Sequence, residues 1–312
     1  GLGGVESLGD LAPVKALVID VVRPDCWGVL NAEDSRCVAM AKGCDGKVAY
    51  FSLDPKADVF RRHIDSEGVG VTVQDGWIVI HDGRKRIPVV QVSEIPATYG
   101  GISEANVRNA LAASIICHVS GVRIEDLRQG LKTFDASYHL TPGRLNLIDV
   151  RDFRVLLDYA HNVAAYEEVV KFVHVFKKNR SIAVIGAPGD RQDQNLLHMG
   201  ELAGAGFDVV LVKEDDDTRG RPRGEAARLL MEGVQVGRQA SGRAAQSDAE
   251  IVLSELEAVD RALGLAGPEG LVVVLADNLR RTWDQVSRFR ALSGETAGTV
   301  VAAGAHASAP RG

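Results

Sequence analysis

The stretch Thr141–Asn162, TPGRLNLIDVRDFRVLLDYAHN, decides how the chain divides and where chemistry is to be sought. Pro142-Gly143 is a turn signal with no flexible linker around it. Two short apolar runs follow, Leu145–Ile148 and Val155–Leu157, separated by the polar segment Asp149–Arg154. That pattern predicts a hairpin-like pair of strands. The second run ends in Asp158-Tyr159-Ala160-His161-Asn162, where a strand gives way to a helix. In open α/β sheets ligands settle beyond the carboxyl ends of strands, so a site is expected here.

Working outward, the chain after Asn162 alternates apolar runs with helical patterns. Helices are predicted over 164–177, 193–204, 224–231, 251–262 and 282–291, with strands over 182–185, 209–213 and 271–275. Such alternation predicts a mostly parallel sheet. Upstream, a helix from Ser7 carries an apolar face of Leu11, Val14, Leu17, Val18 and Val21. Short strands follow at 27–30 and 47–52. The runs 69–73, 77–81 and 87–92, broken at Asp75-Gly76 and Asp82-Gly83, predict an antiparallel meander. Helices are predicted at 103–119 and 124–134. His118, on a mostly apolar face, reads as a satisfied core histidine. The Gly/Ala/Ser-rich tail from Ser293 reads as disordered.

At 312 residues, two domains are expected. A formal net charge of −6 argues against a nucleic-acid or anionic-membrane surface. No apolar run approaches the ~20 residues of a membrane span, and the amino terminus lacks the pattern of a signal peptide. Cys26, Cys37, Cys44 and Cys117 show no zinc spacing and read as reduced thiols. The expected setting is cytoplasmic, with no metal site of the protein's own.

Several motifs carry chemistry. Gly186-Ala187-Pro188-Gly189-Asp190 follows an apolar run and precedes a helix; it is either a tight turn or an anion-binding turn. It is not a dinucleotide fingerprint. Lys213–Glu225, KEDDDTRGRPRGE, is the most unusual segment. It is either a solvated charged loop or a two-sided grip. In the second case Glu214, Asp215, Asp216 and Asp217 would hold a guanidinium, while Arg219, Arg221 and Arg223 would hold carboxylates or phosphate. Arg144 and Asp158 either line one cleft or form a structural ion pair. Asn31 and Asp34 read as a helix cap on their own evidence, as does Asp277-Asn278.

The GR pair followed by DYAHN resembles the opening of the carboxy-terminal domain of Mur-type ligases, ATP-dependent enzymes that join an amino acid to a carboxylate. With GAPGDRQDQN (186–195) and KEDDDTRGRPRGE (213–225), the similarity reaches to about residue 290 and looks most like the cyanophycin synthetases within that family. The resemblance implies an α/β fold: the back half of a Mur-ligase-like central domain over 1–142, then a Rossmann-like Mur ligase carboxy-terminal domain over 143–292. It implies ATP and Mg2+ as cofactors in the complete enzyme. Asn31, Asp34, Arg144, Asp158 and Asn162 would address the nucleotide, and His161 would be catalytic. Glu214, Asp215, Asp216, Asp217, Thr218, Arg219, Arg221 and Arg223 would bind substrate, namely arginine and an aspartate-containing polymer. Arginine would be joined to an aspartate carboxylate through an acyl phosphate, within a homo-oligomer.

The chain departs from the family in three places. Val163 stands where Pro is usual, and Glu104 replaces a His ahead of Asn106 and Asn109. No G-x-x-x-x-G-K-[ST] is present, so the chain alone is expected to be inactive. A different Mur-type ligase, for peptidoglycan or folylpolyglutamate, remains open, as does a non-catalytic remnant or partner module.

Overall fold

A computed structural model describes residues 7–242 and 248–292. The tail expected to be disordered from Ser293 lies outside the described residues. The chain divides into two compact units, with the division between Asp135 and Ala136.

The first unit is built on a five-stranded sheet in chain order: β1 (Trp27–Asn31), β2 (Lys47–Ser52), β3 (Val69–Gln74), β4 (Trp77–Asp82) and β5 (Lys85–Gln91). β1, β2 and β3 run parallel, and β3, β4 and β5 form the expected antiparallel meander. Parallel neighbours need crossovers. Here they are α2 (Ser35–Met40) and α3 (Asp58–Asp65), two helices the sequence reading did not assign. Each is too short to show a helical period. The sheet is covered by α4 (Glu104–Val119), which buries Val107, Leu111 and Ile115, and α5 (Ile124–Thr133) follows it. His118 on α4 has its partner: Nε2 lies 3.2 Å from Asp82 Oδ2.

The leading helix, α1 (Leu8–Asp20), starts at a reciprocal Ser7–Asp10 capping box. Its apolar face does not pack within the described residues: Leu17 is 60% and Val18 69% exposed, and Ile19 is the residue of α1 that joins the core.

The second unit holds six strands: β6 (Asn146–Val150), β7 (Phe153–Asp158), β8 (Ser181–Ile185), β9 (Val209–Val212), β10 (Ala249–Ile251) and β11 (Leu271–Leu275). Their order is β10-β9-β8-β11-β7-β6, and all are parallel except β6, which forms the predicted hairpin with β7. The interior strands β8, β9 and β11 are buried along their whole length, as apolar runs covered on both faces must be. Five helices connect them: α6 (Val163–Phe176), α7 (Asp193–Gly206), α8 (Glu225–Ala240), α9 (Glu255–Leu265) and α10 (Leu279–Leu292). The chain steps from β8 to β9 to β10, then returns to insert β11 between β8 and β7. In open α/β sheets such a reversal marks the carboxyl ends of the flanking strands as the expected place for a ligand.

Two boundaries differ from expectation. α8 runs on to Ala240, and Ile251, predicted to start a helix, instead ends the edge strand β10, the helix beginning at Glu255. The glycines that made α8 look short are what let it pack. A Cβ on Gly233 would overlap the Leu197 carbonyl oxygen, and one on Gly204 the Val234 carbonyl oxygen, so α7 and α8 touch backbone to backbone. In contrast, Gly264 in α9 faces open space. Gly233→Ala is therefore expected to cost more than the 1–3 kcal/mol typical of overpacking, lowering the melting temperature by several degrees. Gly264→Ala should raise stability by about 0.5–1 kcal/mol. Thermal unfolding of the two variants checks the contrast.

Candidate active site

The turn that opens the second unit is organised by Asn146, a 1%-exposed side chain at the first position of β6. Its Oδ1 accepts the Gly143 amide at 2.6 Å, while Nδ2 donates to the carbonyls of Ala136 at 2.8 Å and Thr141 at 2.9 Å. A buried amide with all its groups engaged fixes backbone strongly. The segment is held from the other side by Tyr138, stacked on Trp283 of α10 with ring centroids 4.1 Å apart. Asn146 was not singled out in the sequence, where it looked like one polar residue in a strand.

Asp158 ends β7 and is buried. Its Oδ2 accepts the amide of Leu145 at 2.8 Å, a residue held in the left-handed region at φ 51°. Burial pushes the carboxyl up to about 6, against the pull of the Leu145 amide and of Arg144. The Arg144 side chain is exposed and bonds only weakly, to the Gly143 carbonyl at 3.4 Å. So Asp158 locks the turn, and the exposed Arg144 beside it draws the Asp158 pKa down by its charge.

The turn then reaches His161, whose Nδ1 lies 2.8 Å from the Tyr159 carbonyl oxygen. A neutral ring must carry its proton on Nδ1 to make that bond, leaving Nε2 as an acceptor. Asn162 caps α6 by accepting the Ala165 amide. Val163 is the first residue of α6, where proline is favoured because no intrahelical bond is lost. Val163 keeps the geometry and forfeits only the preset φ.

Beside this turn lie the loops after β8, β9 and β11, and they are tied to one another. Arg219 Nη1 bonds Asp190 at 2.8 Å; Arg221 donates to the carbonyls of Gly189 and Arg191; Arg191 Nε donates to the His161 carbonyl at 3.2 Å. Asp216 is linked to the β11 loop twice, through its amide to Asp277 and its carboxylate to Arg281. The clusters around 158–162 and 214–223 therefore share one rim.

The charged loop is paired mostly with itself. Glu214 is buried and holds Arg223 and the Gly224 amide. Arg221 also meets Asp193 and Glu225. Asp217 accepts the amide of Arg219, and Thr218 lends its carbonyl to the turn of Arg221. Among the loop acids only Asp216 and Asp217 are exposed.

Beneath the rim sits a cluster missed from sequence. Lys213 is 1% exposed; its Nζ lies 2.6 Å from Asp215 and 3.0 Å from Glu255. Glu255, also buried, accepts the Asp277 amide at 2.6 Å and the Thr282 hydroxyl at 2.9 Å. Burial alone would discharge Lys213, but the two carboxylates more than offset it and hold its pKa above the ordinary value. Burial likewise pushes Glu255 up, and Lys213 with the amide and hydroxyl donors brings it below the usual carboxylate range. Lys213 also lies against Gly186, where any side chain would collide with it, and the Gly186 carbonyl takes the buried Tyr166 hydroxyl at 2.8 Å. A lone Lys and a Glu far along the chain give no local signal of this pairing.

In the first unit, Asn31 accepts the Glu33 amide and Asp34 caps α2 through the amides of Arg36 and Cys37. Both bonds are of the capping kind expected of these residue types. Glu33, not singled out, does more: its Oε1 takes the Ser52 hydroxyl and the amides of Leu53 and Asp54, joining the ends of β1 and β2. Among the described residues no group of three or more His, Cys, Asp or Glu could hold a metal ion. No helix among them is long and apolar enough to cross a membrane.

Residues 143–278 match the family described as Mur ligase, glutamate ligase domain. The second unit is thus a Mur ligase carboxy-terminal domain, in a family of ATP-dependent amino-acid ligases. Within that family the chain is similar along most of its length to cyanophycin synthetases. It is 40% identical over 288 residues to that of Crocosphaera subtropica, covering 92% of this chain and 32% of the relative. It is 40% identical over 283 residues to that of Trichormus variabilis, covering 90% and 30%. The chain spans about a third of the length of these curated relatives. Solved structures share the fold. The bifunctional folylpolyglutamate synthase/dihydrofolate synthase of Yersinia pestis, complexed with AMPPNP and Mn ion, aligns with TM-score 0.60 at 18% identity over 93% of this chain and 58% of that one. E. coli FolC in complex with ADP aligns with TM-score 0.59 at 17% identity, covering 93% and 58%.

Asp158 gives a pH test. Its folded pKa is raised, so the folded state binds more protons than the unfolded chain between about pH 4 and 6, and stability falls as pH rises through that window. Relative to Asp158→Asn, the wild type should lose on the order of 2–3 kcal/mol between pH 4 and 7. Denaturant unfolding of both proteins at the two pH values measures it. A difference that does not change with pH would contradict the raised pKa.

Proposed function

We propose that this chain is the acceptor-binding part of an ATP-dependent ligase that joins arginine to an aspartate side-chain carboxylate of a polymer. The observation that carries this reading is the shared rim, where the loops after β7, β8, β9 and β11 are bonded to one another at the reversal of strand order. In the reading, Arg144 neutralises phosphate charge and His161 offers Nε2 near the reacting carboxylate. Asn31, Asp34 and Asn162 contribute to the nucleotide site.

Asp217, and Asp216 on release from Arg281, present the exposed carboxylates that would take an arginine guanidinium by charge-assisted bonds. Glu214, Asp215, Arg221 and Arg223 act as positioning residues, since their charges are already matched within the loop. Thr218 and Arg219 shape the turn between Asp190 and Asp217. ATP supplies the phosphoryl group that activates the carboxylate. Mg2+ would come with the nucleotide, and no step assigned to these residues runs through it. Residues 1–142 are read as the back half of the central domain. The 40% identity to cyanophycin synthetases over 92% of this chain, against 26% to a diaminopimelate ligase, favours arginine over the amino acids of the more distant Mur ligases.

Titration calorimetry of the purified chain with L-arginine, L-glutamate and diaminopimelate tests the reading. Arginine should bind, and Asp217→Asn should weaken it by about tenfold, as loss of one charge-assisted bond would. The chain alone should release no phosphate from ATP in an arginine-dependent way. Binding of glutamate or diaminopimelate in preference to arginine would overturn the assignment.

A further inference from the structure

The rim leaves its charges paired, but the groove next to it does not. Between α9 and α10 lies an open groove of about 640 Å3, floored by Leu256 and Phe289. Along its α10 wall stand Arg280, Asp284 and Arg288, all exposed. Among the described residues no hydrogen bond or ion pair engages the side chain of any of the three. This contrasts with Arg219, Arg221 and Arg223, each held by a carboxylate. The groove joins the rim directly: Arg281, which also lines it, bonds Asp216 of the charged loop at 2.7 Å and lies 3.5 Å from Glu255.

The spacing of the free charges is regular. Residues four apart on a helix lie on one face about 6 Å apart. Arg280, Asp284 and Arg288 thus form a positive–negative–positive row. Side groups on one side of an extended polypeptide recur about every 6.7 Å. A chain whose every side group carries both a carboxylate and a guanidinium could meet each position of that row with the opposite charge. A uniformly acidic chain would meet Asp284 with like charge. An exposed charge pair contributes about 0.2–1 kcal/mol, so three in register give useful but reversible anchoring. Leu256 and Phe289 supply apolar surface for aliphatic stems.

We propose that the α9/α10 groove is a second binding site, for an extended zwitterionic polymer whose side groups each carry a carboxylate and a guanidinium. It would hold the growing product beside the rim while its end reacts. The inference rests on the polymer reading given under the proposed function.

The test uses the full chain and a fluorescent tetramer of aspartate-backbone units, each carrying arginine in isopeptide linkage on its side chain, followed by anisotropy. The wild type should bind it, with affinity falling as salt rises. Arg280→Ala/Arg288→Ala should weaken binding about five- to tenfold, the summed loss of two exposed pairs, with an unchanged melting temperature; Arg280→Lys/Arg288→Lys should retain part of it. Asp284→Arg should shift preference toward undecorated polyaspartate, which gives a readout even if the double variant folds poorly. Equal binding by the wild type and the double alanine variant would overturn the groove and leave the proposed function standing. Equal binding of polyaspartate and the decorated tetramer to the wild type would also overturn it, since the site would then select only negative charge. If neither the tetramer nor free arginine binds, both readings fall together.

Discussion

The second unit depends on one buried cation. Lys213 sits at the end of β9 with its ammonium between Asp215 and Glu255. Removing such a charge from water costs several kcal/mol, and only close partners with further hydrogen bonds offset it. Glu255 meets that condition by also gathering the Asp277 amide and the Thr282 hydroxyl. One ammonium thereby links three segments distant in sequence: the charged loop, the start of α9 and the turn after β11. Through its contact with Gly186 it also fixes the floor of the loop after β8. The rim is set from below by burial, and its exposed residues need not hold it together.

That arrangement separates two kinds of charge that look alike in sequence. The run Lys213–Asp217 contains five charged residues in a row, yet the first three point inward and the last two outward. The buried members specify one loop conformation, which is the best-attested use of interior ions. Of the exposed pair, Asp216 is bonded to Arg281 while Asp217 keeps its carboxylate outward. The same logic applies to Asp158, whose carboxyl is spent on the left-handed turn at Leu145, while neighbouring Arg144 stays exposed. Positioning and recognition are divided between adjacent residues.

Much of this was legible beforehand. The apolar runs that became β8, β9 and β11 are buried along their length, so their sequences read as uninterrupted strands. The hairpin β6–β7 follows from two runs around a polar turn, and the DYAHN segment falls at the strand end where a ligand site belongs. What could not be read was non-local or too short. α2 and α3 span less than three turns each. α8 hides its length because Gly233 and Gly237, breakers by propensity, serve close packing on α7. Asn146, Glu33 and the Lys213–Glu255 pair act on backbone brought near only by the fold. The apolar face of α1 shows the opposite failure: its periodicity is correct, but nothing among the described residues covers it.

The central claim is that one buried ion cluster holds the loops after β8, β9 and β11 as a unit. Hydrogen–deuterium exchange of Lys213→Met against the wild type measures it directly. The account predicts faster exchange in 186–191, 214–223 and 276–281 together, with the amides of β6 and β7 unchanged. Acceleration confined to residues adjoining position 213, with the other two loops as protected as before, would contradict it.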